Sequence, residues 1–314
     1  MKNFKKKFKM IKGIIPMTYC FFNRNNTIDI KLMSDQISLI KQLGSNGIAC
    51  LGLATEVNKL EFSEKKKIIE LVSDITNNSI PVVVTISGKN INEYKKLIGV
   101  AQFNNANWIV LQPLLNKKTT DKDCYDFFDK IINFVDKKTL VGIQNAKEYI
   151  GVGLESHQIL KLYKKFSNFR AIKGEAAAVL IQNEISRYPK NLSVFNGRGG
   201  QEIIDNFLAG CKGIIPSLEG TDIFIKIYKL LEQKKISEAR KVYKKILPSI
   251  VFSMQSIDSL TCYGKRICAY RMGVKKIYDR SPSLSPTKFG TDLAKKFADD
   301  LGKFWFIKFQ YQSL

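Results

Sequence analysis

Phe169-Arg170-Ala171-Ile172-Lys173 is a short apolar run that ends on a lysine, and the residues after it, Gly174-Glu175-Ala176-Ala177-Ala178, turn the chain into a helix. A lysine at the carboxyl end of a buried strand has a dry floor that disfavours the ammonium and a mouth open to substrate. Those are the conditions under which an amine attacks a carbonyl, so imine (Schiff-base) chemistry is the first expectation. It requires a side chain that faces the mouth. A closed buried ion pair would remove it, as would a lysine snorkelling outward to solvent.

Seven more strand-like runs flank this one, at residues 13–16, 48–52, 81–86, 108–112 and 140–144 before it and at 192–195 and 213–216 after it. Between them apolar residues fall at helical spacing: Met33, Ile37 and Ile40, then Ile68, Leu71, Val72 and Ile75, then Phe128, Ile131 and Val135. Ser63 and Ser156 stand where helix N-caps are expected. Short, continuous apolar runs suit strands covered on both faces by helices. Eight of them alternating with helices predict an α/β chain folded as a (β/α)8 TIM barrel.

After the eighth strand the pattern is helical from residue 222 to 272, with Phe224, Ile227, Leu230 and Leu231 in one segment and Val242, Ile246 and Ile250 in the next. Only the first of these completes a barrel. The chain is therefore divided into a basic N-terminal arm (1–10), a barrel (11–232) and a C-terminal helical region (233–314). In the last region a loop at 279–286 precedes a final helix at 292–301, and the apolar tail Phe304-Trp305-Phe306-Ile307 is expected to pack on the body or on another subunit.

Lysine and arginine total 51 against 28 acidic residues, a net charge of +23. The excess is scattered lysine, as in Lys65-Lys66-Lys67, Lys95-Lys96 and Lys164-Lys165, with no nucleic-acid motif beside it. A solvated surface that attracts anionic substrates is expected, and no nucleic-acid partner. The six cysteines include no CxxC pair, and His157, the sole histidine, has no ligand-spaced companion and reads as a surface residue. No metal site or disulfide framework is expected. No apolar stretch reaches the roughly 20 residues that span a bilayer. The run Gly13-Ile14-Ile15-Pro16-Met17 is too brief for a secretory core, so a cytoplasmic location and no membrane partner are expected.

In barrels of this type chemistry sits on the loops after the strands. Those ends carry Gly52-Leu53-Ala54-Thr55-Glu56, Gln112-Pro113, Gln144-Asn145, Lys173, Asn196-Gly197-Arg198-Gly199-Gly200 and Pro216-Ser217-Leu218-Glu219. With the opening Gly13-Ile14-Ile15-Pro16-Met17-Thr18, the order of these pieces resembles the dihydrodipicolinate synthase and N-acetylneuraminate lyase family, over about residues 13–272. The resemblance implies that Lys173 forms an imine with pyruvate or another 2-oxo acid. It also implies that the loop after strand two holds the substrate carboxylate, and that the protein is a homo-oligomer, a tetramer or a dimer.

The chain departs from the family's pattern at several of these positions. The strand-two loop lacks both usual threonines, Gln144 replaces the tyrosine before Asn145, Leu115 falls where the tyrosine after strand four is expected, and Tyr149 corresponds to the usual arginine. A relay through phenols and hydroxyls is thereby excluded, which argues against a role in lysine biosynthesis.

What remains is Lys173 as the nucleophile, with Gln144 and Tyr149 as the other catalytic candidates. Ala54, Thr55, Glu56, Asn145, Gly197 and Arg198 are expected to bind substrate, with amides around Ala54 and Thr55 on the carboxylate and Arg198 on a distal group. Gln144 does not titrate usefully, so proton transfer falls to Tyr149, Glu56, Glu175 or water. Each candidate has a plainer alternative: a salt bridge for Glu56, a turn hydroxyl for Thr55, packing for Tyr149, a loop hydrogen bond for Gln144. The turn at 196–200 could also cradle a phosphate, although it lacks GxGxxG spacing.

The expected function is a Schiff-base lyase or aldolase acting on a 2-oxo acid, of sugar-acid type, with no cofactor because the lysine itself is the electron sink. A dehydratase of a 2-oxo-3-deoxy sugar acid and an inactive regulator that binds a 2-oxo acid are the alternatives.

Overall fold

The structure, a computed structural model, describes residues 11–115 and 118–304. Eight strands appear in it: β1 (Gly13–Ile14), β2 (Ile48–Cys50), β3 (Val82–Ile86), β4 (Trp108–Leu111), β5 (Leu140–Asn145), β6 (Phe169–Gly174), β7 (Ser193–Asn196) and β8 (Gly213–Ile214). All are parallel, and each pairs with its neighbour in sequence from β2 to β8, with β8 returning to β1. Between β1 and β2 the ring closes just past the last ladder residues. Met17 bridges Ala49, whose amide donates to Pro16 O and whose carbonyl accepts from the Thr18 amide, both at 2.9 Å. This is the expected (β/α)8 barrel. Apart from Arg170 and Asn145, every strand residue is buried, as expected where helices cover a sheet whose interior is also filled.

The surrounding helices are α1 (Ile30–Gln42), α2 (Phe62–Thr76), α3 (Ile91–Phe103), α4 (Asp121–Ile131), α5 (Lys147–Ile150), α6 (Ser156–Lys165), α7 (Ala178–Ile185), α8 (Ile203–Leu208) and α9 (Thr221–Glu232). Helix α1 starts where the Asp29 carboxylate accepts the Leu32 amide, and it buries Met33, Ile37 and Ile40 against the barrel. The N-caps of α2 and α6 are not the expected serines. Glu61 and Glu155 form capping boxes with Glu64 and Gln158, so Ser63 and Ser156 lie inside the first turn. The longer acidic side chains reach the third amide and are met in return, satisfying two end donors where a serine alone would satisfy one. The helical spacing expected through Val135 breaks after Ile131 into a 3-10 turn.

Among the described residues four helices follow the barrel: α10 (Ile236–Ser253), α11 (Ile257–Ser259), α12 (Lys265–Arg271) and α13 (Lys288–Leu301), with a π turn, Leu260–Gly264, between α11 and α12. They do not form a core of their own alone. Ile246, Ile250, Leu260, Cys268 and Met272 belong to the same buried cluster as the barrel, while Cys262, Tyr263, Ile267, Ala294 and Ala298 make a small satellite. Helix α13 begins four residues before the expected 292, because Thr287 caps it by accepting the Gly290 amide.

Phe304 packs on the body, its ring 4.0 Å from the Arg271 guanidinium. Trp305, Phe306 and Ile307, like the basic arm 1–10, lie outside the described residues. All six cysteines are free and buried, and His157 is exposed on α6. Among the described residues no helix is long and apolar enough to cross a membrane, and no cluster of three or more metal-ligating side chains occurs.

Candidate active site

Strand β6 delivers Lys173 as its penultimate residue, in register with Gln144 of β5 on one side and Phe195 of β7 on the other. The amine enters a cavity at the carboxyl ends of the strands, about 380 Å³ counting its open mouth, whose wall also includes Ala54, Tyr149, Glu175, Gly197 and Ser217. Met254, Ile257 and Leu260 roof it from the C-terminal helices.

Lys173 is buried and forms an ion pair with Glu175 at 2.5 Å. The pair is not sealed, because both residues stand on the cavity wall. The Glu175 oxygen that meets the amine, Oε1, also accepts Gln144 Nε2 at 3.0 Å, and Gln144 Oε1 accepts Gln112 Nε2 at 2.8 Å. All four side chains are buried, so a single file of hydrogen bonds runs from β4 across β5 to the amine. Gly197 makes room for it. A Cβ there would lie 2.6 Å from both Glu175 Oε1 and Lys173 Cε.

The expected site residues divide into two groups. Lys173, Tyr149, Gly197 and Ala54 line the cavity, and Gln144 stands directly behind Glu175. Thr55, Glu56, Asn145 and Arg198 are turned to other partners. The Thr55 hydroxyl donates to Thr18 O at 2.6 Å, and its amide donates to Gly52 O, closing a 3-10 turn. The Glu56 carboxylate takes Lys265 and Lys59, each at 2.6 Å, so its salt-bridge reading is the one the geometry supports. Asn145 clamps Leu154, accepting its amide and donating to its carbonyl. Arg198 pairs with Glu202 at 3.0 Å and Glu148 at 3.7 Å. Burial disfavours its charge, but the Tyr149 hydroxyl and the two carboxylates outweigh that and hold the guanidinium firmly protonated. Leu115 is half exposed and not on the cavity wall.

Backbone strain marks the loop after β2. Leu51 (φ 61) and Glu56 (φ 57) are left-handed at its two ends, a conformation that costs a bulky side chain roughly 1–2 kcal/mol. At the end of β8, Ser217 and Tyr19 donate to the two oxygens of Glu219 at 2.7 and 2.6 Å. Burial pushes both the Glu219 carboxyl and the Tyr19 phenol above their usual ranges.

Gln112, Ser217 and the roof residues were not singled out by sequence reasoning, although Gln112 and Ser217 stand at strand ends where chemistry was sought. No local signal marks the roof.

A model of the Dihydrodipicolinate synthetase family matches residues 10–296. The chain belongs to this family. As a member of the Dihydrodipicolinate synthetase family it is an aldolase-type carbon–carbon lyase. It is 28% identical to a 4-hydroxy-tetrahydrodipicolinate synthase of Karelsulcia muelleri, over 76% of this chain and 81% of that one. It is 22% identical to the probable 2-dehydro-3-deoxy-D-pentonate aldolase YjhH of Escherichia coli K12, over 76% and 80%. Among solved structures, the wild-type Ruminococcus gnavus sialic acid aldolase superposes with a TM-score of 0.85 at 17% identity, over 93% of this chain and 97% of that one. YagE of E. coli K12, in complex with pyruvate, gives 0.84 at 18% identity, over 93% and 99%. At these identities the structural likeness shows the shared family fold.

Proposed function

We propose that the protein is a class I aldolase that takes pyruvate or another 2-oxo acid as an imine on Lys173. The observation that carries this is the Lys173 amine on the wall of the strand-end cavity, 2.5 Å from a carboxylate able to accept its proton. With the proton on Glu175, the Nζ lone pair adds to the 2-oxo carbon. The carbinolamine oxygen then leaves as water, its proton returned by the carboxyl group, and the iminium remains paired with Glu175. Its positive nitrogen draws electrons from the adjacent bonds, so that a C3–C4 bond cleaves or forms.

Leu53 and Ala54 head the 3-10 turn on the cavity wall, and the first amides of such a turn have no acceptor within it. They are the proposed seat of the substrate carboxylate, with the positive surface favouring anions generally. The names of the YjhH and YagE relatives support a sugar-acid or pyruvate substrate, and the family supports a homo-oligomer. Six free buried cysteines accord with a reducing, cytoplasmic compartment.

Incubation with pyruvate and borohydride, followed by peptide mapping, tests the reading. A stable adduct on Lys173 is expected, and none with Lys173→Ala. A panel of 2-oxo acids and aldehydes then separates cleavage from loss of a hydroxyl group. Adduct formation without turnover of any of them would favour the regulator.

A further inference from the structure

We infer that Glu175, oriented by the Gln112–Gln144 amide pair, is the general acid and base of the carbon chemistry, moving the proton at C3 of the bound 2-oxo acid. This rests on the imine reading of Lys173. The phenol expected before Asn145 is replaced by the amide of Gln144, which does not titrate usefully, and the one expected after β4 by the apolar Leu115. Apart from the reacting amine itself, the titratable group in this file of hydrogen bonds is the Glu175 carboxylate, which meets the reacting nitrogen at 2.5 Å.

In the iminium, C3 is two bonds from Nζ, about 2.5 Å away by ordinary bond lengths. A carboxylate touching that nitrogen from the cavity side therefore reaches a C3 proton without rearrangement. When the base acts, the C3–H bond breaks and the proton goes to Glu175. The C3–H pair becomes the C2–C3 double bond, and the imine pair returns to nitrogen. An iminium and a carboxylate become a neutral enamine and a neutral acid. Two buried charges vanish together, which a dry cavity favours because neither is left unpaired. Run backwards, the acid protonates the enamine left by aldol cleavage.

The amides are positioning residues. Gln112 donates to Gln144 Oε1, which turns the Gln144 amino group toward Glu175. That donation holds Oε1 toward Lys173. Gly197 leaves the same oxygen uncovered on the cavity side.

The test measures hydrogen–deuterium exchange of the pyruvate methyl group in D2O by NMR, alongside borohydride trapping. Wild type is expected to exchange. Glu175→Gln, compared at a pH where both variants trap, is expected to lose about 10²-fold or more in exchange per mole of adduct. Gln144→Leu should keep the adduct and lose about tenfold in exchange rate at saturating pyruvate, a change in kcat that loosened binding alone would not produce. Glu175→Gln exchanging at the wild-type rate per adduct overturns the proposal while leaving the imine intact. No adduct in wild type overturns the imine and this inference together. Should Glu175→Gln not fold, Glu175→Asp decides, since it withdraws the carboxylate by one methylene: slower exchange per adduct supports the proposal, and an unchanged rate overturns it.

Discussion

Lys265, wholly buried in the C-terminal helices, donates to the Glu56 carboxylate of the β2 loop at 2.6 Å. The same ammonium lies 3.3 Å from Asp279, and Glu56 also holds Lys59. The region after the barrel is thus tied by a buried ionic network to the loop whose first half forms the cavity wall. Since the same region roofs the cavity with Met254, Ile257 and Leu260, it is part of the site as well as of the scaffold.

Breaking that tie should be costly. Lys265→Met leaves Glu56 buried with only part of its compensation, and losses of about 3–5 kcal/mol are usual when one partner of a buried pair is removed. Urea unfolding should show that loss. The double variant Lys265→Met/Glu56→Gln should recover part of it, because the stranded charge is then gone.

Gly197→Ala should spare the fold and damage the chemistry. Its Cβ would stand 2.6 Å from Lys173 Cε and Glu175 Oε1, forcing the pair apart by several tenths of an ångström or more. Displacements of that order cost about 10²-fold in rate at a reacting centre. The rate of borohydride-trappable adduct formation should fall accordingly, with an unchanged far-UV circular dichroism spectrum.

Thr55→Val separates a structural hydroxyl from a substrate contact. Because Thr55 Oγ1 is committed to the buried Thr18 carbonyl, removing it should cost about 1–3 kcal/mol of stability in denaturant. The affinity for pyruvate, read from trapping at graded concentrations, should stay within about twofold if the hydroxyl does not touch substrate.

The pH dependence of stability should carry a signature from Glu184. Burial, helped by the Glu155 charge, pushes its carboxyl up to about 7. Between the ordinary carboxylate range and that value the native state holds a proton that the unfolded chain has released. Stability from this group is therefore complete at acid pH and lost as pH rises through about 7. Urea midpoints across this range should fall with pH more steeply for wild type than for Glu184→Gln.

Much of the fold was legible in local pattern. The eight apolar runs map onto β1–β8, although β1 and β8 are reduced to two-residue ladders because Pro16 and Pro216, which have no amide to donate, interrupt a pairing that resumes at Met17 and Ser217. Within the candidate site, Lys173 was legible because a strand end is defined by its immediate neighbours. Thr55 and Glu56 illustrate the opposite case. Both are polar residues in the right loop, yet one hydroxyl turned to Thr18 and one carboxylate claimed by Lys265 leave the loop to offer its backbone.

The sequence by itself determined the barrel, the lysine at the end of its sixth strand and the missing phenols, since these depend on the period and chemistry of contiguous residues. Only the tertiary structure decided that Glu175 meets the amine, that Gln112 and Gln144 orient it, and that Lys265, 209 residues away, claims Glu56. A buried polar side chain must find a partner, and which partner it finds depends on the elements folded against it.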